Sequence, residues 1–342
     1  SSISKYAIRN ISWETTEMYD VGFDANLLND KLRIEGDYYK KTTKDMLLAL
    51  EIPHFMGVSN PQKNTGEMYT NGFEIKVSWF DNIGDIKYSL SANLSDSKSI
   101  MGDLGGTEFL GSQVKFEGSE FNEWYGYKSA GLFQNSEEVA NSAITSKAVR
   151  PGDIKYIDIS GPDGVPDGKI TPDYDRVLLG GSLPRYLYGG NIDLAYKNFD
   201  FSIVFQGIGK QNSMITQNMV RPLQSFYRDV PTIILNNYWS KYNTEEQNLN
   251  VKYPRVSENS AGNNYTMSDF WLFNGRYFRL KNIQLGYKIP NNISTKLKLK
   301  DIYLYLSIHD LFSIDNYPKG WDPETSNYWI TRSYNFGASI KF

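Results

Sequence analysis

Residues 331–342 read Thr-Arg-Ser-Tyr-Asn-Phe-Gly-Ala-Ser-Ile-Lys-Phe, and apolar or aromatic side chains alternate here with small or polar ones. Tyr334, Phe336 and Ile340 fall on one side of the alternation, and Lys341 falls on the other. Successive side chains of a β-strand point to opposite faces of a sheet, so this pattern predicts a strand with one apolar and one polar face.

The same period of two recurs along the whole chain and predicts an all-β protein. The predicted strands, in chain order, are 17–28, 31–42, 71–81, 85–97, 184–196, 199–210, 276–289, 300–312 and 331–342. The alternation changes phase between Leu280 and Ile283. A β-bulge, which adds one residue to one strand, is therefore predicted there.

The lengths of the connections distinguish a barrel from a sandwich. Short connections at 27–31, 81–85, 196–199 and 289–300 alternate with long ones at 43–70, 98–183, 211–275 and 313–330. Outer-membrane barrels have short turns on one side and long external loops on the other, so strict alternation favours an antiparallel transmembrane β-barrel with long extracellular loops. A Greek-key sandwich gives no reason for it.

The odd number of predicted strands indicates that they are part of a larger barrel. Bacterial single-chain barrels close with an even number of strands, whereas nine are predicted here. An open sheet in lipid would also leave unpaired strand edges. We therefore expect the chain to be the C-terminal portion of a larger barrel, and the absence of a starting Met or a leader segment at Ser1 agrees with that expectation.

The composition of the chain excludes several kinds of partner and of functional site. The formal net charge is −3, so no basic field points to a nucleic-acid partner. Cysteine is absent and only His54 and His309 are present, which excludes disulfides, thiolate nucleophiles and multi-histidine metal sites built from this chain alone. A Gly-x-Ser-x-Gly nucleophile motif is also absent, so we predict that the chain is not an enzyme.

Several short stretches, in this order, carry a resemblance to one family. They are Trp13-Glu14-Thr15-Thr16, Asp37-Tyr38-Tyr39-Lys40, Asn64-Thr65-Gly66-Glu67, Asn71-Gly72-Phe73-Glu74, Arg150-Pro151-Gly152-Asp153-Ile154-Lys155-Tyr156, Phe278-Arg279-Leu280-Lys281-Asn282-Ile283 and Gly320-Trp321-Asp322-Pro323-Glu324. Each is weak alone, but the ordered set is specific. Across its length the chain resembles the C-terminal third of a SusC/RagA-type TonB-dependent outer-membrane transporter.

The resemblance implies a 22-stranded barrel, of which residues 1–342 are the C-terminal part, with the plug domain and the N-terminal strands outside this chain. It implies a SusD-like surface lipoprotein as partner, coupling to TonB through the N-terminal part, and outer-membrane lipid around the barrel. It also implies import of glycan fragments, or of peptides in some members, across the outer membrane of a Bacteroidetes-like Gram-negative cell.

An aspartate-rich run is a candidate metal site. Calcium prefers six to eight oxygen ligands, which closely spaced aspartates separated by glycines can supply. The candidate Ca²⁺ ligands are Asp158, Asp163, Asp167, Asp173 and Asp175. The run departs from the calcium-like pattern of many family members, because counting from Asp163 places Val165 and Tyr174 at ligand positions. The alternative is a cluster of Asx turns in an external loop.

Aromatic side chains in the long loops are candidate glycan contacts, because a ring packs against the flat face of a sugar. The candidates are Trp124, Tyr127, Trp239, Trp271 and Trp321. The alternative is that these rings pack the loops themselves or form an interfacial girdle. The size and composition of loops 98–183 and 211–275 also favour a collar that docks the lipoprotein. A secreted β-sandwich lectin with the same loops is the remaining alternative, and it would require two apolar sheet faces packed together.

Overall fold

The structure is a computed structural model, and it describes residues 11–49, 62–106, 108–145, 148–215, 220–223, 230–256, 261–325 and 330–342. The chain divides into two compact units. We call the first the sheet unit, which comprises Ser1–Thr107, Pro184–Gln211 and Asn274–Phe342. We call the second the loop unit, which comprises Glu108–Leu183 and Asn212–Phe273.

Strands dominate the secondary structure. In chain order they are β1 (Thr15–Leu27), β2 (Leu32–Lys44), β3 (Leu47–Ala49), β4 (Gln62–Asn64), β5 (Met68–Ile83), β6 (Ile86–Met101), β7 (Phe109–Leu110), β8 (Gln113–Lys115), β9 (Glu123–Tyr127), β10 (Ser129–Leu132), β11 (Ile154–Tyr156), β12 (Arg176–Gly180), β13 (Arg185–Tyr196), β14 (Phe199–Lys210), β15 (Asn212–Met214), β16 (Leu272–Asn274), β17 (Tyr277–Lys288), β18 (Asp301–Asp315) and β19 (Ser333–Lys341). The α-helices are short: α1 (Ser136–Ala140), α2 (Glu245–Asn250), α3 (Ala261–Asn264) and α4 (Asn291–Lys296). None of the helices in the described ranges is long and apolar enough to cross a membrane.

The sheet unit contains one nine-stranded sheet, in the order β1-β2-β5-β6-β13-β14-β17-β18-β19. Each neighbouring pair is antiparallel and follows the order of the chain. All nine predicted strands are confirmed. The nine strands form one sheet, rather than the two sheets packed face to face that the sandwich alternative requires.

Within the described ranges, no other residues of the unit cover the apolar face of this sheet. Val21, Phe23, Leu194, Leu306 and Phe336 lie on it, and each is exposed, Val21 by 75% and Phe336 by 76%. A water-soluble protein rarely exposes a continuous apolar surface of this extent. An apolar face of this kind is what a barrel wall presents to lipid.

The predicted bulge is confirmed at Lys281. On β14, Val204 pairs with Asn282 and its neighbour Phe205 pairs with Leu280, so Lys281 is the extra residue of β17. The register of β17 with β18 shifts at the same place, and Asp310 of β18 has a positive φ of 50° there. The bulge explains why the apolar alternation of 276–289 changes phase.

Aromatic rings lie over glycines of neighbouring strands. A Cβ added at Gly337 of β19 would overlap the ring of Tyr305 on β18, and one added at Gly72 of β5 would overlap Tyr39 on β2. A side chain at either position would therefore have to displace the ring that lies over it.

The loop unit has its own core, built from both long connections. Its four-stranded sheet has the order β12-β9-β8-β7, and β10 pairs with β11. Buried Asp153 accepts hydrogen bonds from Arg255 Nε (2.7 Å) and Asn264 Nδ2 (2.9 Å), and the Tyr156 hydroxyl donates to the Asn263 carbonyl. Burial raises the pKa of Tyr156, which keeps this hydroxyl protonated as a donor. The hub residues Asp153, Tyr156, Arg255, Asn263 and Asn264 thus join chain segments more than 100 residues apart.

The sequence also predicts two short helices within the long loops, an N-capped one that starts at Ser136 and another over 231–241 that opens at Pro231. The two predictions have different outcomes. The short helix near 136–139 is confirmed as α1, although Asn135 rather than Ser136 is the N-cap. The prediction of a helix over 231–241 is wrong, because only a single 3₁₀ turn forms there, at Thr232–Ile234. Asn236 adopts a left-handed conformation with φ 58°, and Tyr238 forms a β-bridge with Tyr253, so the chain cannot continue as a helix.

Candidate functional site

The polar face of the nine-stranded sheet is the first part of the candidate site. Register places charged residues of neighbouring strands side by side, so that Glu35 pairs with both Asp24 and Lys76, and Asp37 pairs with Glu74. Lys76 Nζ lies 3.1 Å from Glu35 Oε2. A hollow of about 270 Å³ is lined by this ion pair together with Asp37, Glu74 and residues of β6. Lys76 and Glu35 thus form an ion pair between neighbouring strands on this face.

A second hollow on the sheet, of about 710 Å³, follows β13 and β14. Asp193 is its charged residue, and its carboxylate accepts hydrogen bonds from Ser202 Oγ (2.7 Å), Ser89 Oγ (3.2 Å) and Asn191 Nδ2. Glycines 189, 190 and 207 also line this hollow and keep it open. The polar groups of this surface are hydroxyls, amides and one carboxylate, and they lie beside the apolar side chains of Leu187, Val204, Phe205 and Ile208. The surface therefore suits a solute that has both hydrogen-bonding groups and apolar faces.

Next to the bulge, an ion network fixes the segment that follows β18. Buried Arg279 pairs with Asp322 and also lies 3.3 Å from Glu324 Oε1. Lys281 Nζ lies 2.7 Å from Asp310 Oδ1 and 3.2 Å from Glu324 Oε2. The extra residue at the bulge is therefore the lysine that binds two carboxylates. The network holds the stretch around Asp322 against β17.

Two of the five predicted glycan contacts are core residues of the loop unit. Trp271 is 1% exposed, donates from Nε1 to the Asn264 carbonyl (2.8 Å) and stacks on Tyr265 with ring centroids 5.3 Å apart. Tyr127 is 4% exposed and packs against Tyr156 at 5.0 Å. Side chains with so little accessible surface have no room to pack against a solute, so the prediction of glycan contact is corrected for these two residues.

The other three predicted contacts are partly exposed. Trp124 lies on β9, and its Nε1 donates to the Asn212 carbonyl (2.6 Å). Trp239 packs over Gly152, and Trp321 lies beside Asp322 of the ion network. Glycan contact by these three rings stays a prediction. Of the two histidines, His309 lies on β18 and His54 lies outside the described residues.

The five candidate calcium ligands are spread along their loop. Within the described ranges, which include all of 158–175, no three His, Cys, Asp or Glu side chains come together as a group that could hold a metal ion. Asp175 is fully buried and accepts hydrogen bonds from the backbone N–H groups of Ile159 (2.8 Å) and Thr171 (2.6 Å). Asp158 accepts from Gly168 N and Asp167 from Lys169 N, while Asp163 and Asp173 are exposed. This conformation does not fit a closed calcium site, and calcium binding there stays a prediction.

The polar clusters around Asp193 and Arg279 are not evident from the sequence. In the sequence, Asp193 is one residue of the predicted strand 184–196, and Arg279 is part of one of the stretches that carry the family resemblance. An arginine and an aspartate embedded in predicted strands are costly to bury alone, and this signal was available in the sequence.

Known proteins resemble the chain over nearly its whole length. No family model matches it. It is 31% identical over 372 residues to TonB-dependent receptor P3 of Formosa agariphila, covering 99% of this chain and 35% of the relative. It is 24% identical over 350 residues to TonB-dependent receptor SusC of Bacteroides thetaiotaomicron, covering 97% of this chain and 32% of the relative.

Among solved structures, the RagAB peptide transporter matches with a TM-score of 0.78 and 22% identity, over 100% of this chain and 37% of that chain. The same transporter in a closed-closed state also matches with a TM-score of 0.78, at 20% identity. The fold is that of part of a TonB-dependent barrel. The chain spans about a third of the length of the curated relatives it matches.

Proposed function

Because the chain belongs to the SusC/RagA-type TonB-dependent receptors, we propose that it forms part of an outer-membrane transporter that imports oligosaccharides. The observation that supports this proposal best is the nine-stranded sheet, with its apolar face exposed and its polar face lined by hydroxyl, amide and carboxylate groups. A wall with one face for lipid and one for water suits a solute pathway.

Glycan fragments fit this polar surface better than peptides do in one respect. Beside its charged Asp193 and its apolar and aromatic side chains, the hollow along β13 and β14 offers Ser, Asn and Gln side chains, which both donate to and accept from sugar hydroxyls. The structural relative RagAB is described as a peptide transporter, so peptides are the alternative cargo. Either cargo fits a receptor rather than an enzyme, in keeping with the names of the relatives.

The partners follow from the same family membership. A SusD-like surface lipoprotein would bind the long loops, and TonB would supply energy through a part of the receptor outside this chain. The loop unit supports a docking role because its two segments share one buried core and therefore offer a pre-formed surface. Trimming 211–275 to a short turn should release a bound lipoprotein while leaving the sheet unit folded.

Uptake by living cells tests the proposal. Cells lacking the receptor should lose TonB-dependent uptake of at least one fluorescent neutral oligosaccharide, and the wild-type gene should restore it. Uptake of labelled tetrapeptides is measured in parallel. Loss of peptide uptake with unchanged uptake of every oligosaccharide would assign the transporter to peptides instead.

A further inference from the structure

The loop unit contains a pocket rich in side-chain amides, with a volume of about 580 Å³. We call it the amide pocket. Five amide side chains line it: Asn236, Asn237, Asn243, Gln247 and Asn250. Tyr238 adds an aromatic ring and Glu246 adds the single carboxylate. The volume lies within the range of about 300–1,000 Å³ that is typical of small-molecule sites.

The walls of the amide pocket are fixed by hydrogen bonds. Buried Asn248 accepts from Ser240 N (3.0 Å) and Asn243 Nδ2 (3.0 Å) and donates to the Ser240 carbonyl (2.9 Å). The capping box of α2 joins Thr244 to Gln247. One wall therefore holds its shape without a ligand, which lowers the entropic cost of binding.

The opposite wall is tied to the core of the loop unit. Tyr253 N donates to the Asn237 carbonyl (3.0 Å), and Trp239 N donates to the Tyr253 carbonyl (2.9 Å). The ring of Tyr253 is buried and lies 6.4 Å from that of Trp271. Movement of this wall would therefore disturb the core.

The lining amides keep both donors and acceptors available. Gln247 uses Oε1 to accept from Thr244 N, and Asn250 uses Nδ2 to donate to the Glu246 carbonyl. Within the described part of the chain, Gln247 Nε2 and Asn250 Oδ1 have no partner, so one donor and one acceptor remain. A sugar hydroxyl both donates and accepts, and it can use both kinds of group at once.

The charge of the lining narrows the ligand further. Glu246 is its only charged residue, and no Lys or Arg is among the lining residues, all of which are described. An anionic sugar, such as a sulfated or uronic one, would meet this carboxylate without a compensating cation. The ring of Tyr238 offers a flat apolar surface to the face of a sugar ring.

We propose that the amide pocket is a binding subsite for neutral oligosaccharides, taking one or two sugar residues. The proposal rests on the proposed function and deepens it, because it names a class of cargo and a place on the loops where that cargo binds. A peptide is a separate outcome of the test.

The test uses the intact receptor in detergent and two matched variants. Asn236 has φ 58°, so Asn236→Gly removes its amide without backbone strain, and Asn250→Ala removes the free acceptor. The control is Asn122→Gly, because Asn122 has φ 55° and lies outside the pocket. Calorimetry measures binding of maltotetraose, laminaritetraose, a sulfated chondroitin disaccharide and tetra-alanine.

At least one neutral tetrasaccharide should bind the wild type. The double variant Asn236→Gly/Asn250→Ala should bind it about tenfold more weakly, as expected for two lost hydrogen bonds, and Asn122→Gly should bind it normally. Equal affinity in the double variant, tighter binding of the sulfated sugar, binding of tetra-alanine alone, or no binding of any neutral sugar would each overturn the proposal.

Cell uptake separates this inference from the proposed function. If the double variant still imports oligosaccharide at the wild-type rate and affinity, the subsite is wrong but the transport function stands. If the wild-type receptor imports no oligosaccharide, the transport function fails irrespective of the pocket.

Discussion

Arg279 on β17 and Asp322 lie 43 positions apart in the sequence, and they form an ion pair with both side chains almost completely buried. A buried pair is costly to break from one side because the remaining charge stays desolvated. Arg279→Met should therefore lower the free energy that holds residues 315–325 against β17 by about 3–5 kcal/mol. Hydrogen exchange of these amides measures the effect.

An exposed ion pair of the same sheet is the control for Arg279. Lys44 and Glu17 lie 3.2 Å apart and are about half exposed, so Lys44→Met should cost less than about 1 kcal/mol. The double variant Arg279→Met/Asp322→Leu should recover part of the loss. Equal exchange in Arg279→Met and wild type would show that the pair does not hold the segment.

Gly337 should not tolerate a side chain, because the ring of Tyr305 occupies the space of its Cβ. Gly337→Val should destabilise the folded barrel by about 1–3 kcal/mol. The amount of heat-modifiable protein in outer-membrane fractions measures it. Ala338→Val is the control, because Ala338 is exposed on the opposite face. Similar amounts in both variants would contradict the role of the ring.

Asp175 should be structural in its loop. Its two carboxylate oxygens accept hydrogen bonds from Ile159 N and Thr171 N, and Asp175→Asn would turn a donor toward one of these two N–H groups. The free energy that stabilises the folded loop should fall by about 1–3 kcal/mol, and the loop should become sensitive to proteases. Exposed Asp173→Asn should have no effect. If calcium chelation opened the wild-type loop equally, the calcium prediction would be supported instead.

Trp271 should stabilise the loop unit whatever the cargo, because it is fully buried and stacks on Tyr265. Trp271→Ala should cost about 3–5 kcal/mol in this unit. Tyr242→Ala, at an 85% exposed position of the same unit, should be neutral. Hydrogen exchange of the loop unit compares the two. A folded Trp271→Ala variant defective only in cargo binding would reverse the correction made for this residue.

Glu138 should stabilise α1 in a pH-dependent manner. Burial acts to raise its pKa, but a hydrogen bond from Gln134 N and the ion pair with Lys155 outweigh burial and hold the pKa of Glu138 below its usual value. The contribution is present above the unfolded pKa of about 4.5 and is lost as pH falls through the lowered value. Exchange of the α1 amides, corrected for intrinsic rates, should rise below pH 4.5.

Glu138→Gln is the matched variant for this titration. It should lower the stability of α1 by less than about 1 kcal/mol near neutral pH and remove most of the added loss in acid. An unchanged acid profile in Glu138→Gln would assign the effect to another group.

The strands could be predicted from the sequence because each carries its own evidence in the alternation of side chains. The prediction of 300–312 corresponds to Asp301–Asp315, and even the bulge at Lys281 was visible as a change of phase. The burial of Trp271 could not be predicted, because irregular loops have no periodicity that separates a core ring from an exposed one. The contact of Arg279 with Asp322 depends on how a loop returns to the sheet.

The hub around Asp153 has a consequence for how such receptors diversify. Asp153 and Ile154 come from the connection before β13, whereas Arg255 and Asn264 come from the connection after β14. Recombination that exchanged only one connection between two receptors would leave a buried carboxylate facing an unrelated segment. The two connections are thus expected to be inherited together, as a cassette that carries the β13–β14 hairpin between its halves.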